Sequence, residues 1–213
     1  MNFEDKYKMA EDYYAKREYK NALELFVELN DQERSNDCLN YIGCCYLELG
    51  KYPEAIEVFQ DLIKQNPDWE RPIFNLGRVY LKLKQKEQAL DCFNKAISIN
   101  PNSEDGLYYL GVFYLQNEDY KTAEIFYAKS LSIDYNQSEG HLNLGACYFK
   151  DKLYEKALQE FVVSFQLDSN NIDALNNIGL SYFLLSRYQD ALNAFLKLYD
   201  FDPNDSSIMQ IVR

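Results

Sequence analysis

Residues 73–80 read IFNLGRVY, and the fold turns on three residues inside that octet: Leu76, Gly77 and Tyr80. The same spacing returns at Gly43, Gly111, Gly145 and Gly179, so that five glycines stand at a constant interval of 34 residues. Each glycine follows a Leu or Ile (Ile42, Leu76, Leu110, Leu144, Ile178) and is followed three residues later by Tyr (Tyr46, Tyr80, Tyr114, Tyr148, Tyr182). Nine residues beyond each Tyr comes Ala (Ala55, Ala89, Ala123, Ala157, Ala191), and four beyond that an aromatic ring (Phe59, Phe93, Tyr127, Phe161, Phe195). Pro67, Pro101 and Pro203 close three of the units. Met9, Ala10, Tyr13, Ala22 and Phe26 repeat the pattern at the N-terminus, with Ala10 in the glycine place. A fixed period of this length marks a repeat architecture.

Leu, Gly and Tyr at i, i+1 and i+4 share one face of a helix. A glycine inside a helix costs about 1 kcal/mol against alanine. Five repetitions of that cost imply a neighbour that needs the space, and the second helix of the unit, brought close at its Ala and ring, is that neighbour. Turn signals separate the two arms at Gly50-Lys51-Tyr52-Pro53, Asn117-Glu118-Asp119-Tyr120 and Ser186-Arg187-Tyr188. Pro53 and Pro72 fall near helix starts, where a missing N–H costs little. A lone helix pair cannot bury its apolar face, so the units stack on one another.

These residues resemble the tetratricopeptide repeat, whose pattern is W-x₂-L-G-x₂-Y…A-x₃-F…P over 34 residues. The resemblance implies an all-α, right-handed superhelical α-solenoid of six antiparallel helix pairs in a single domain over 1–213, with repeats at about 3–35, 36–69, 70–103, 104–137, 138–171 and 172–205. The usual first-position Trp is replaced by Leu39, Ile73, Leu107, His141 and Leu175, and Tyr135 and Ser169 stand where Pro would end units four and five. A short terminal helix is expected near 206–213, with Asp205 or Ser206 as its candidate cap and Ile208, Ile211 and Val212 expected to be exposed. Truncation of a longer chain and self-association through this end are both expectations from that exposure.

The chain carries 22 Lys and Arg against 34 Asp and Glu, a formal charge of −12. Such a surface repels phosphate backbones and anionic bilayers, so neither nucleic acid nor membrane is an expected partner. The first 20 residues hold no apolar run like that of a signal peptide, and a cytoplasmic location is expected. Five cysteines with no C-x-x-C, and one histidine, offer no zinc site and no cofactor site. Cys38, Cys45 and Cys147 stand at packing positions, whereas Cys44 faces the inner surface of the stack, so Cys44 is expected to be the most accessible thiol and no disulfide is expected. His141 takes a partly buried structural place. No catalytic residue is assigned: the register supports no Ser–His–Asp or Cys–His pair, and the adjacent acids have no pocket signal.

In proteins of the resembled family the inner helices line a concave groove that holds a peptide or partner segment. By register, the groove residues here are Arg71, Phe74, Asn75, Arg78 and Lys82 in unit three, Tyr108 and Tyr109 in unit four, Leu142 and Asn143 in unit five, and Asn176 and Asn177 in unit six. Glu4, Tyr7, Glu11, Asp37, Glu48 and Asp105 also face inward. Asn75, Asn143 and Asn177 occupy one equivalent place, where an amide can donate to and accept from a peptide backbone or serve the scaffold itself. Arg71, Arg78 and Lys82 form a basic stripe on one helix face. It suits a carboxylate or phosphate on a mixed-charge segment, or else pairs with Asp37, Glu48 and Asp105 of neighbouring repeats. The carboxylate-clamp arrangement of some co-chaperones is disfavoured, since Tyr7, Glu11 and Cys44 stand where its Lys and Asn partners belong. The expected function is a non-catalytic interaction scaffold. Alternatives are a substrate-recruiting region of a larger enzyme, such as a protein glycosyltransferase, and a self-associating structural module.

Overall fold

The computed structural model describes residues 2–201 and forms twelve α-helices there, with no strand among the described residues. They are α1 (Phe3–Ala15), α2 (Tyr19–Gln32), α3 (Asn36–Glu48), α4 (Tyr52–Gln65), α5 (Glu70–Lys82), α6 (Lys86–Ile99), α7 (Glu104–Gln116), α8 (Tyr120–Ile133), α9 (Ser138–Lys150), α10 (Tyr154–Leu167), α11 (Ile172–Leu184) and α12 (Tyr188–Phe201). Six helix pairs result, at the boundaries the 34-residue period predicts. The expected terminal helix near 206–213 lies outside the described residues.

Local chemistry sets the helix ends. Ser35, Asp119 and Asn171 cap α3, α8 and α11 by accepting from the N–H groups of Cys38, Thr122 and Ala174. Pro53 occupies the first turn of α4. The first arm of each pair stops on a left-handed residue: Arg17, Gly50, Lys84, Glu118, Lys152 and Ser186 all have φ between 60° and 74°. The next N–H then reaches back to the carbonyl of the repeated Tyr, as from Gln85 to Tyr80 at 2.9 Å and from Leu153 to Tyr148 at 2.9 Å. That bond closes the orphan carbonyls of the helix end.

The period's glycine and aromatic ring meet as the sequence requires. A Cβ on Gly43 would lie 2.6 Å from the Phe59 ring, and one on Gly111 2.7 Å from the Tyr127 ring. Ala55, Ala89, Ala123 and Ala157 are fully buried and Ala191 is 3% exposed, so the second arm presents no bulk where the two arms touch.

The chain divides into two compact units, Met1–Gly106 and Leu107–Arg213. In the first, each helix from α1 to α6 packs on the next, and α3 also touches α5. Its core runs from Ala10, Phe26 and Leu29 through Cys38 and Cys45 to Phe59, Leu62 and Val79. In the second, α8 to α12 pack in the same succession, and α9 touches α11. Its core runs from Tyr127 and Leu144 to Phe161, Leu175, Phe195 and Leu198. Helices α2 to α5 in the first unit and α9 to α11 in the second each pack against both of their sequence neighbours, which is how a stack of pairs replaces a single globular core.

Candidate functional site

The inner helices carry the candidate residues, and their surroundings divide them into three groups. Arg71 and Lys82 are exposed at the two ends of α5. Arg78, Tyr108, Tyr109, Leu142, Asn143, Asn176 and Asn177 are half-buried. Phe74 and Asn75 are 5% and 2% exposed, so neither presents its side chain to a ligand as the register suggested. Phe74, Asn75, Leu76 and Gly77 are four consecutive buried residues, so α5 is covered on all sides along this turn.

Arg78 is held from two sides. Its Nη2 donates to Glu48 Oε1 at 2.6 Å and its Nη1 to Asn75 Oδ1 at 3.0 Å. Asn75 in turn donates to Asn40 Oδ1 at 3.1 Å. A chain of polar contacts therefore joins α3 to α5, and the ion pair anticipated between Arg78 and Glu48 is present. Asp105 lies in the same field. Removal from water raises its carboxyl above the usual carboxylate range, while Arg78 and then Arg71 pull it down. One Arg thus serves the scaffold, while the flanking Arg71 and Lys82 stay open to solvent.

Within Leu107–Arg213 the pattern is partly repeated. Asn143 donates to the Tyr108 hydroxyl at 3.1 Å, and Tyr108 meets Tyr109 edge-on at 5.2 Å between ring centres. The Asn177 carbonyl accepts from Ser181 at 2.7 Å, a bond within α11. Asn75 and Asn143 therefore act between consecutive repeats.

Cys44 is buried at 6% exposure and is not the most accessible thiol; Cys92 is the partly exposed one. Tyr14 and Arg78 lie over Cys44, and burial pushes its thiol up to about 11, with Arg78 opposing. All five cysteines are free thiols. His141 is 2% exposed, with Nδ1 2.7 Å from Glu160 Oε2 and Nε2 2.9 Å from the Tyr135 carbonyl. It ties the loop after α8 to α10. No cluster of metal-ligating side chains occurs among the described residues. No described helix is long and apolar enough to cross a membrane.

One feature escaped the register. A hollow of about 360 Å³ opens among Phe3, Glu4, Tyr7, Lys8, Glu11, Ser35 and Asp37. The inward places of Glu4, Tyr7, Glu11 and Asp37 were readable, whereas the enclosure made by Phe3 and Ser35 depends on how α1 meets the loop before α3.

The model described as anaphase-promoting complex, cyclosome, subunit 3 matches residues 1–62 and 116–198, and tetratricopeptide repeat models match 73–103 and 92–125. No curated protein matches the sequence. Among solved structures, a chain of the APC/C hetero-tetramer Cut9-Hcn1 is similar at TM-score 0.85 and 16% identity over 99% of this chain and 42% of that one. PilF of Pseudomonas aeruginosa is similar at TM-score 0.78 and 17% identity over 98% and 95%. YrrB, described as a TPR protein with an unusual peptide-binding site, is similar at TM-score 0.66 and 19% identity over 87% and 96%. The regular helix pairs, the glycine–aromatic contacts and these matches agree: the chain belongs to the tetratricopeptide repeat family, matching within it the model of anaphase-promoting complex subunit 3 over more than half its length.

Proposed function

We propose that the protein is a non-catalytic interaction scaffold of a reducing compartment, the cytoplasm, and that it takes a partner segment bearing at least one carboxylate or phosphate against α5. The observation that carries this reading is the solvent exposure of Arg71 and Lys82 at either end of a helix whose middle cation is already paired. Two open cations on one face of a protein of charge −12 are a local inversion of sign. A segment acidic throughout is repelled by the rest of the surface, so a mixed-charge ligand is selected. The partner is a protein and not nucleic acid, for the same electrostatic reason. The likeness in fold to YrrB, whose description names a peptide-binding site, and to a chain of the Cut9-Hcn1 assembly supports an interaction role.

The test uses Arg71→Glu with Lys82→Glu, because Arg78 is structural and its reversal would confound binding with stability. Partners captured by the wild-type chain are identified by mass spectrometry. Synthetic peptides from them, with and without their acidic or phosphorylated group, are then titrated by fluorescence anisotropy. The double variant weakens binding by about tenfold or more, with the melting temperature unchanged, because exposed cations contribute little to stability. Equal affinity of the variant and the wild type removes α5 as the site.

A further inference from the structure

The hollow between α1 and the start of α3 has an aromatic wall. Phe3 and Tyr7 stack with ring centres 6.3 Å apart at 20°, and Tyr7 rests edge-on against Tyr41 at 6.1 Å and Phe26 at 5.6 Å. Phe26 is fully buried, so the wall is anchored in the core. The Tyr41 hydroxyl donates to Glu11 at 3.1 Å, which fixes that carboxylate at the aromatic edge.

Charge surrounds this wall asymmetrically. Glu4, Glu11 and Asp37 line the hollow against Lys8 alone. None of the three carboxylates is in an ion pair among the described residues. Two of them act on Tyr7, whose hydroxyl is raised above its usual range by burial first, then by Tyr41, Glu11 and Asp37. An anion is repelled from such a place, and a purely apolar group would strip water from carboxylates without pairing them. A flat cation satisfies both halves. Its face lies on the rings and its N–H groups reach the carboxylates. The guanidinium is planar, weakly hydrated and forked, and so fits better than a compact, strongly hydrated ammonium.

We infer that this hollow binds the guanidinium of an arginine side chain presented by a partner segment, with Tyr7 and Phe3 as the stacking wall and Glu4, Glu11 and Asp37 as the carboxylates. The site is separate from the α5 cations and stands or falls independently of them.

The probe is N-acetyl-arginine methylamide, titrated into the full chain and followed by NMR. The lysine derivative and the neutral citrulline derivative are run beside it. Signals of Tyr7, Glu11 and Asp37 move saturably with the arginine derivative, and citrulline binds at least about tenfold more weakly because the charge is gone. The exposed pair Glu4→Gln with Asp37→Asn lowers arginine affinity about fivefold or more without shifting the thermal midpoint. The Arg71→Glu, Lys82→Glu variant binds the arginine probe as the wild type does, so failure here and failure at α5 are distinguishable. Citrulline binding as tightly as arginine, signals that move only outside the hollow, or an unchanged affinity in the Glu4/Asp37 variant overturns the site. A lysine derivative that binds as well as arginine overturns the guanidinium assignment.

Discussion

Asn75 and Asn143 occupy the same place in the repeat, each immediately before the Leu-Gly step, and each donates to a residue 35 positions earlier. Their settings differ. Asn75 is buried, bonded to Asn40, and shares its carbonyl with an Arg78 that is itself locked to Glu48. Asn143 is half-buried and reaches the hydroxyl of Tyr108. Tyr108 lies edge-on to Tyr127 at 5.7 Å, and the fully buried Tyr127 hydroxyl has no hydrogen-bond partner among the described residues. The first junction extends the amide's bond into an ion pair. The second borders an unsatisfied polar atom. One residue in one register thus does different work according to the charge and polarity of its neighbours, which a repeat pattern alone does not specify.

The largest effect expected at these junctions is at Arg78. Arg78→Ala leaves Glu48 and Asn75 without their shared donor and lowers stability by about 2–3 kcal/mol. Urea midpoints measure this, and a loss no greater than that of Asn143→Ala would make the two junctions equivalent. The next test exchanges the rings that the two junctions rest on. Tyr127→Phe removes an unpaired buried hydroxyl and raises stability by about 1 kcal/mol, whereas Phe59→Tyr introduces one and lowers it by about 1–3 kcal/mol. A destabilised Tyr127→Phe would mean that the hydroxyl is satisfied in solution. Asn143→Ala removes one half-buried bond and lowers stability by about 0.5–1.5 kcal/mol. The smallest effect is kinetic. Cys44 and Cys147, one at each junction, are both buried, so a thiol reagent labels Cys92 first. Burial pushes the Cys92 thiol up to about 11, so its labelling rate climbs with pH toward that value as the reactive thiolate forms. Mass spectrometry of partly labelled protein assigns the order, and early modification of Cys44 would show that the first junction opens more readily than its bonds suggest.

The helix pairs were legible because their determinants are local. A glycine and a ring at fixed spacing must meet wherever two helices fold back, and Gly43 against Phe59 does so. The exposed cations of α5 were legible for the same reason, since a helix face follows from spacing. The burial of Phe74 and Asn75 was not legible, because it depends on the angle at which α3 meets α5. Cys44 shows the same limit. Its inward direction is a property of one helix, whereas its cover by Tyr14 and Arg78 comes from α1 and α5. The aromatic hollow lay beyond reach for a further reason: it needs the N-terminal turn of α1 and the residue before α3 to converge.

The left-handed stops between paired helices carry a last consequence. Only one of the six, Gly50, is the residue that adopts this backbone freely; Arg17, Lys84, Glu118, Lys152 and Ser186 adopt it with a Cβ in the way. Each costs about 1–2 kcal/mol relative to a right-handed residue, a tension distributed along the chain on its solvent-facing bends. The molecule therefore holds an adjustable margin outside its core. Five bends are open to relaxation by residues that tolerate the left-handed region, so stability can be raised there without touching the packed core or the inner face.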